Sequence, residues 1–278
     1  MPTEFQTDRV WLHRGDAFKW LNRLETESVD LFCTDYPYES LEKHRKKGTT
    51  TRLKHSKSSS NDWFGTIPNS MAGELLFQAF RVLKKDRHAY FFCDDPTSDI
   101  LKGPAFIEAQ AKCKEAGIKG KLTCWKRIVW DKMAMGMGYH YRARYEFIIF
   151  FEKGKRKLNN LGIPDVLEVP GLLTEEEIAL VSKQTDLQKF KRIRSKEAYP
   201  TEKPSELLKV LIENSCQPGE LIVDPFMGSG SCGEAALTAF EDSLEGCYFW
   251  GNDISPKSIK HATNRLEPYT RVAELSHG

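Results

Sequence analysis

Little in this sequence would tie the chain to a membrane, a metal ion or an oxidising compartment. Its longest strongly apolar run is Phe147 to Phe151, far short of the roughly 20 apolar residues that a bilayer-spanning helix needs. The first residues carry Glu4 and Asp8 and no apolar stretch, so no signal peptide is expected. The seven cysteines, Cys33, Cys93, Cys113, Cys124, Cys216, Cys232 and Cys247, are odd in number, and no pair has CxxC spacing. That pattern argues against a disulfide framework or a zinc site and points to a reducing cytoplasm, with no metal expected. Internal repeats are absent. With 278 residues, 40% of them hydrophobic and 29% charged, the chain suits one large globular domain carrying an insert.

A large net charge is lacking too: 41 Lys+Arg against 39 Asp+Glu leave +2. Even mixing of those charges would argue against a polyanionic partner. They are not evenly mixed. The windows 42–60, 126–157 and 183–203 together hold 23 basic and seven acidic residues, a surplus of +16, while the remainder of the chain carries −14. Basic runs are usually solvated loops, but three that converge in space would form a phosphate-binding surface.

The order of elements reads as α/β. Val29 to Thr34 and Ala89 to Cys93 are short apolar runs, with a helical stretch around Phe18 to Leu24 before them and helix-spaced Phe77, Phe80, Val82 and Leu83 between them. A helix from Pro104 to Ala116 follows, and then Leu122 to Trp130 and Tyr145 to Phe151, which suit an antiparallel edge. Around Leu172 to Arg194 the periodicity is lost, and Thr174 to Glu177 looks like a helix start. The last third alternates helix 204–215, strand 221–223, a Gly/Ser loop, helix 232–239, strand 248–251 and helix 256–266. A doubly wound, mainly parallel sheet is the expected fold, with ligands beyond the carboxyl ends of its strands.

Two loops carry the chemistry. In Leu221-Ile222-Val223-Asp224-Pro225-Phe226-Met227-Gly228-Ser229-Gly230-Ser231 a buried strand runs into a glycine turn and then a helix, which suits close approach of a carboxylate or phosphate. No Lys follows Gly230, which excludes a P-loop, whereas Gly228 to Gly233 satisfies the GxGxxG pattern. One strand later, Gly251-Asn252-Asp253 supplies an acid for a ribose diol, which fits either a nicotinamide dinucleotide or S-adenosylmethionine. The second loop, Asp35-Tyr36-Pro37-Tyr38, separates the two. It ends an apolar strand in a carboxylate, a rigid turn and a flat ring, which suits group transfer to a planar exocyclic amine: acceptors draw on the two amine hydrogens and the ring stacks on the base.

Together these loops resemble the amino-directed DNA methyltransferases, whose signatures are (D/N/S)PP(Y/F/W) and DPFxGSG. Arg14 to Ala17, Tyr199 to Pro204 and Gly251 to Asp253 resemble further segments of that family. The order, catalytic loop first and cofactor loop last, is that of its beta class. The resemblance spans about residues 8 to 268. It implies a class I methyltransferase (Rossmann-like) fold with a small recognition insert: residues 1–158 as the catalytic part, 159–198 as the target-recognition insert and 199–278 as the cofactor-binding part. It implies S-adenosylmethionine as cofactor and its homocysteine counterpart as product.

Residue by residue, the resemblance makes Asp35 the acceptor of the amine proton, the carbonyl of Tyr36 or Pro37 its partner, and Tyr38 the stacking ring. Phe226, Gly228, Ser229 and Gly230 would shape the methionine pocket, with Asp224 at the entry of the loop. Asp253 would hold the ribose, Asp16 would lie near the adenine, and Thr201 and Lys203 near the carboxylate. Tyr36 departs from the usual proline and loosens the loop's backbone constraint. The partner implied is double-stranded DNA with a flipped base, gripped by Lys43, Arg45, Lys46, Arg52 and Lys54 after the tetrad, by Arg142, and by Arg192 and Arg194 as readers of guanine. An Asp leading the tetrad is commoner where adenine N6 is methylated. Cytosine N4 is the alternative, and a DNA-binding member that has lost catalysis is another. Family members often dimerise, and some serve beside a cognate restriction enzyme.

Overall fold

The computed structural model describes residues 3–39, 65–133, 140–168, 202–240 and 246–270. Among these residues a nine-stranded sheet forms the middle layer, from β1 (Thr3–Gln6), β2 (Val10–Arg14), β3 (Val29–Thr34), β4 (Leu83–Cys93), β5 (Leu122–Asp131), β6 (Tyr145–Lys153), β7 (Val166–Glu168), β8 (Leu221–Asp224) and β9 (Tyr248–Asp253). Its spatial order is β1-β2-β9-β8-β3-β4-β6-β5-β7. Five neighbouring strands, β2, β9, β8, β3 and β4, run parallel. β6 is antiparallel to β4 and forms an antiparallel hairpin with β5, as the apolar runs suggested.

Helices cover both faces. α1 (Ala17–Leu21), α2 (Ala72–Val82), α3 (Asp95–Lys102) and α4 (Pro104–Glu115) lie on one side, and α5 (Ser205–Ser215), α6 (Ser231–Thr238) and α7 (Pro256–Thr270) on the other. α2 shows why: Ala72, Leu75, Leu76, Ala79 and Phe80 recur at helical spacing and are all fully buried. β3 is buried along its whole length, as a central parallel strand must be.

Two departures from the expected elements have physical causes. β4 begins at Leu83 rather than Ala89, because its charged front half is neutralised: Lys84 and Arg87 both pair with the buried Asp30 of β3, and Arg87 also with Glu220. The first strands, β1 and β2, escape the apolar-run criterion because Val10–Arg14 is short and mixes Trp11 and His13 with its aliphatics. Within the expected insert, residues 159–168 tie onto α5 through Asn159 and Asn160 and contribute β7 to the sheet. Residues 169–198, including the expected helix start at Thr174, lie outside the described residues.

The chain winds from β3 outward to β4 on one side and from β8 outward to β9 on the other, so the strand order reverses between β3 and β8. A crevice opens there at the carboxyl ends, the usual place for a ligand in such sheets.

Candidate active site

Four of the five sequence motifs sit at the ends of four adjacent strands. Gly15 and Asp16 follow β2, Asn252 and Asp253 end β9, the glycine loop follows β8 and the tetrad follows β3. They line one cleft of about 280 Å³, joined by Phe92 at the end of β4, by Thr66 and Ile67, and by Glu202 and Lys203.

Side chains lock these ends together. Asn252, almost fully buried, donates through Nδ2 to the carbonyls of Gly15 and Pro225, each at 3.1 Å, and its Oδ1 meets His13 Nδ1 at 2.8 Å. One amide thus ties three strand ends. Thr34 Oγ1 donates to Asp224 Oδ1 at 2.6 Å, which links the tetrad loop to the glycine loop. The same oxygen accepts from Phe226 N at 3.0 Å. Burial pushes the Asp224 carboxyl up from 3.8 to about 7, and Asp35 and Asp253 add to the rise.

On the cofactor side, Asp253 Oδ2 accepts from Gly228 N at 3.1 Å and Oδ1 from Ser255 N at 2.8 Å, so the acid braces the glycine turn from the next strand. Burial raises its carboxyl. Gly228 and Gly230 take left-handed φ values of 51° and 80°. A Cβ on Gly230 would come within 2.9 Å of Ala262 Cβ, so this glycine is required against α7 and not at the cleft wall. Phe226, Gly228 and Ser229 do line the cleft. Asp16 lines it as well, while its Oδ1 caps α1 by accepting from Lys19 N at 2.9 Å.

On the tetrad side, the Asp35 carboxylate lies deep between the cleft walls yet keeps 29% of its side-chain surface open to the cleft. Lys203 Nζ makes a short ion pair with Asp35 Oδ2 and reaches Glu146 Oε2 at 3.3 Å. The ammonium assigned by resemblance to the cofactor's carboxylate thus sits on two protein carboxylates here. The Tyr36 carbonyl accepts from Tyr38 N at 2.9 Å and the Pro37 carbonyl from Ile67 N at 2.6 Å, so the loop is fixed and each oxygen retains a lone pair. The Tyr38 ring is buried edge-on against Tyr36, with ring centroids 5.9 Å apart, and does not line the cleft.

Tyr36 supplies by packing what the missing proline would supply by ring closure. Its fully buried ring sits between Tyr38 and Phe226, and its hydroxyl has no hydrogen-bond partner among the described residues. Tyr36→Phe is therefore expected to keep or raise stability by about 1 kcal/mol, because an unsatisfied buried hydroxyl is removed. Tyr36→Ala should cost about 3–5 kcal/mol. Urea denaturation of the two variants checks this, and a Phe variant as unstable as the Ala variant would refute it.

Of the basic candidates, Arg142 is exposed beside the fully exposed Tyr141 at the tip of the β5–β6 hairpin. Lys43, Arg45, Lys46, Arg52, Lys54, Arg192, Arg194 and Thr201 lie outside the described residues. The middle basic window is largely neutralised within the fold. Lys126 pairs with Asp165, Arg127 with Asp99, Lys132 with Glu146, Arg144 with Asp131 and Arg156 with Glu220, and buried Lys153 pairs with Glu27 while donating to the carbonyls of Phe80 and Leu83. Most of its sequence surplus is therefore not free surface charge.

Sequence reasoning missed Glu146, Thr34 and Asn252. The one available signal for Glu146 was an acid inside the apolar strand that opens at Tyr145. Among the described residues no group of three or more His, Cys, Asp and Glu is arranged to hold a metal ion, and no helix is long and apolar enough to cross a membrane.

Comparison with known proteins agrees with this geometry. The DNA methylase family model for N6 and N4 amino methylation matches residues 29–264. "DNA adenine methyltransferase YhdJ" of Escherichia coli (strain K12) is 26% identical over 285 residues, covering 96% of this chain and 85% of that protein. The PvuII DNA methyltransferase (cytosine-N4-specific) superposes with a TM-score of 0.59 at 16% identity, over 95% of this chain and 88% of that one. The M1.HpyAVI–SAM complex gives 0.54 at 18% identity, over 92% and 100%. The fold is thus that of the class I methyltransferases, and by the match over most of its length the chain belongs to the DNA methylase family of N6 and N4 amino-methyltransferases.

Proposed function

We propose that the chain methylates the N6 amine of an adenine flipped out of double-stranded DNA, with S-adenosylmethionine as donor. The observation that carries this reading is the juxtaposition across the β3–β8 switch point: a carboxylate on a rigid loop, hydrogen-bonded through Thr34 and Asp224 to a glycine turn with a ribose-type acid behind it.

The cleft suits that donor on its own chemistry. Asp253 and Asp16 offer carboxylates for a diol and an adenine edge, Phe226 and Ile254 give apolar walls, and α6 is preceded by Gly230, which gives its first turn no side-chain cap and leaves amides for a carboxylate. The donor supplies, when bound, a methyl group activated on a sulfonium. What the protein contributes is positioning and charge. Asp35 accepts a hydrogen of the target amine, and the carbonyl of Tyr36 or Pro37 accepts the other. Asp35 can then take up the proton that the amine sheds on methylation. Tyr38 becomes a stacking ring once it turns out of its contact with Tyr36.

The rim supports DNA as partner. β5 runs parallel to β4 and β7 parallel to β5, so the carboxyl ends of β3, β4, β5 and β7 share one edge of the sheet. From this edge the chain leaves at Glu39, Met133 and Glu168, and it returns to the same cleft at Gly65 and Glu202. Gly65, which follows window 42–60, and Glu202 and Lys203, which end window 183–203, line the cleft, and we assign Lys43, Arg45, Lys46, Arg52 and Lys54 to strand contacts, Arg192 and Arg194 to base reading, and Arg142 to phosphate. We further propose residues 159–198 as the recognition insert between a catalytic part, 1–158, and a cofactor part, 199–278. A cytoplasmic protein acting on the chromosome fits this reading. A second copy of the chain and a restriction enzyme are protein partners proposed on kinship.

Adenine is favoured by Asp35 at the head of the tetrad. The test is to incubate the protein with S-adenosylmethionine carrying a labelled methyl group and unmodified genomic DNA, and then to separate the nucleosides. Label in N6-methyladenine is expected, label in N4-methylcytosine would overturn the base assignment, and absence of transfer with DNA still retarded in a gel would favour a catalytically silent binding protein.

A further inference from the structure

Asp35 does not stand alone in the cleft. It ends a row of four side chains of alternating charge: Asp35, Lys203, Glu146 and Lys132. Lys203 contacts Asp35 Oδ2 directly and lies 3.3 Å from Glu146 Oε2, and Glu146 Oε1 lies 2.9 Å from Lys132 Nζ. The four come from separate parts of the chain: the end of β3, the segment before α5, the start of β6 and the residue after β5. Lys203 is almost fully buried and lies 5.7 Å from the Phe92 ring centroid. The segment carrying it is clamped from outside, because Glu202 pairs with Arg265 of α7 at 2.5 Å.

We propose that Glu146, backed by Lys132, is a positioning residue for the methyl-transfer reaction: it shares the Lys203 ammonium with Asp35 and so leaves the Asp35 oxygens able to exchange that ammonium for the target amine. This rests on the function proposed above. Without Lys203, two carboxylates would face each other in a poorly solvated cleft and one would take up a proton, leaving Asp35 a weaker acceptor. With Lys203 but without Glu146, the ammonium would have Asp35 as its sole carboxylate and would occupy the lone pairs that the amine needs. Glu146 offers the ammonium a second seat 3.3 Å away.

The charge states accord with this. Burial pushes the Asp35 carboxyl up, Lys203 and Lys132 pull it down, Glu146 adds to the rise, and the balance leaves it above its ordinary value. Burial acts on Glu146 in the same sense, but its two ammonium neighbours outweigh it and hold Glu146 below the ordinary value. Lys203 is lowered by burial and raised more by its two carboxylates, so it stays charged. The other titratable groups within reach of Asp35 are Asp224 on β8, Cys93 on β4 and Tyr38 in the loop.

The test compares wild type with Glu146→Gln, Lys132→Met and Lys203→Met, leaving those three groups intact. The Asp35 carboxyl is titrated by carbon-13 NMR, and kcat/KM for unmodified genomic DNA is followed against pH. An essential carboxylate gives a rate that falls as pH drops through its pKa. Removing an anion lowers that pKa and removing a cation raises it. The acid limb should therefore move to lower pH in Glu146→Gln and to higher pH in both lysine variants, by about one unit for Lys203→Met and less for Lys132→Met. Glu146→Gln should also reduce kcat about 10- to 100-fold, with the affinity for S-adenosylmethionine unchanged.

A carboxyl pKa and acid limb that stay put in Glu146→Gln and Lys132→Met while activity falls would reduce the row to scaffolding and overturn the proposal. So would shifts of the same sign in all three variants, or a carboxyl pKa that moves while the acid limb does not. A wild type that transfers no methyl group at any pH would instead end the methyltransferase reading, and the carboxyl titration would still report whether the charged row exists.

Discussion

Replacing Asp35 with Asn should lower kcat for methyl transfer by about 10²- to 10⁴-fold, the range for removing a positioned acceptor or general base, and leave S-adenosylmethionine binding nearly unchanged. The fold should survive. The Lys203 ammonium keeps a partner in Glu146, so the substitution strands no buried charge. The cofactor side should survive as well, because Asp253 accepts from Gly228 N and Asn252 ties the carbonyls of Gly15 and Pro225 together without Asp35. What is lost is an anion facing the target amine: the Asn carbonyl accepts more weakly and its amide presents hydrogens where the amine presents its own. Single-turnover transfer of a labelled methyl group, with calorimetry for cofactor binding, separates the two effects. Wild-type turnover in this variant would remove Asp35 from the reaction.

The parts of this site that were legible in the sequence are those whose meaning is local. β3, apart from Asp30, and β8 read as apolar runs because both their faces are covered by helices, and each runs directly into its motif. The glycine loop needs left-handed backbone at Gly228 and Gly230, and glycine in that spacing is readable without a structure. What was not legible depends on partners distant in sequence. Glu146 and Lys203 are brought together only when β6 packs beside β4 and the segment before α5 folds over the strand ends, and a lone acid in an apolar run does not announce its partner. The charged front of β4 reads as a loop until Asp30 is known to lie beneath Lys84 and Arg87. The same blindness inflated the middle basic window, whose partner acids lie elsewhere in the chain: Asp99 on α3, and Asp165 and Glu220 just before β7 and β8. Local charge counting therefore overstated the surface available for phosphate there, while the motifs read from local pattern do lie at neighbouring strand ends along one cleft.

Asp224→Asn should stabilise the protein at neutral and alkaline pH and do much less for it in acid. The Asp224 carboxyl rises from 3.8 to about 7 on folding, first through burial and then through the neighbouring carboxylates of Asp35 and Asp253, against the opposing Thr34 hydroxyl and Phe226 amide. A group whose folded value is raised in this way binds its proton more tightly in the native state. Its favourable contribution is complete below about 3.8 and is withdrawn as pH climbs towards about 7. Full ionisation of a carboxyl so displaced withdraws roughly 4 kcal/mol relative to the neutral form. Asn is neutral at every pH, and its carbonyl can accept from Thr34 Oγ1 and Phe226 N as Oδ1 does. The stability difference between variant and wild type should therefore grow between about pH 4 and 7 and level off above, as read from thermal melts in a pH series. Thr34→Val provides the internal control. Losing the hydroxyl removes a bond that favours the ionised form, so the wild-type decline should extend to higher pH in that variant. A difference between Asp224→Asn and wild type that is flat across the series would mean that the carboxyl is already ionised at low pH. The link between the two loops would then be a bond to a carboxylate throughout, with no proton held at the floor of the cleft.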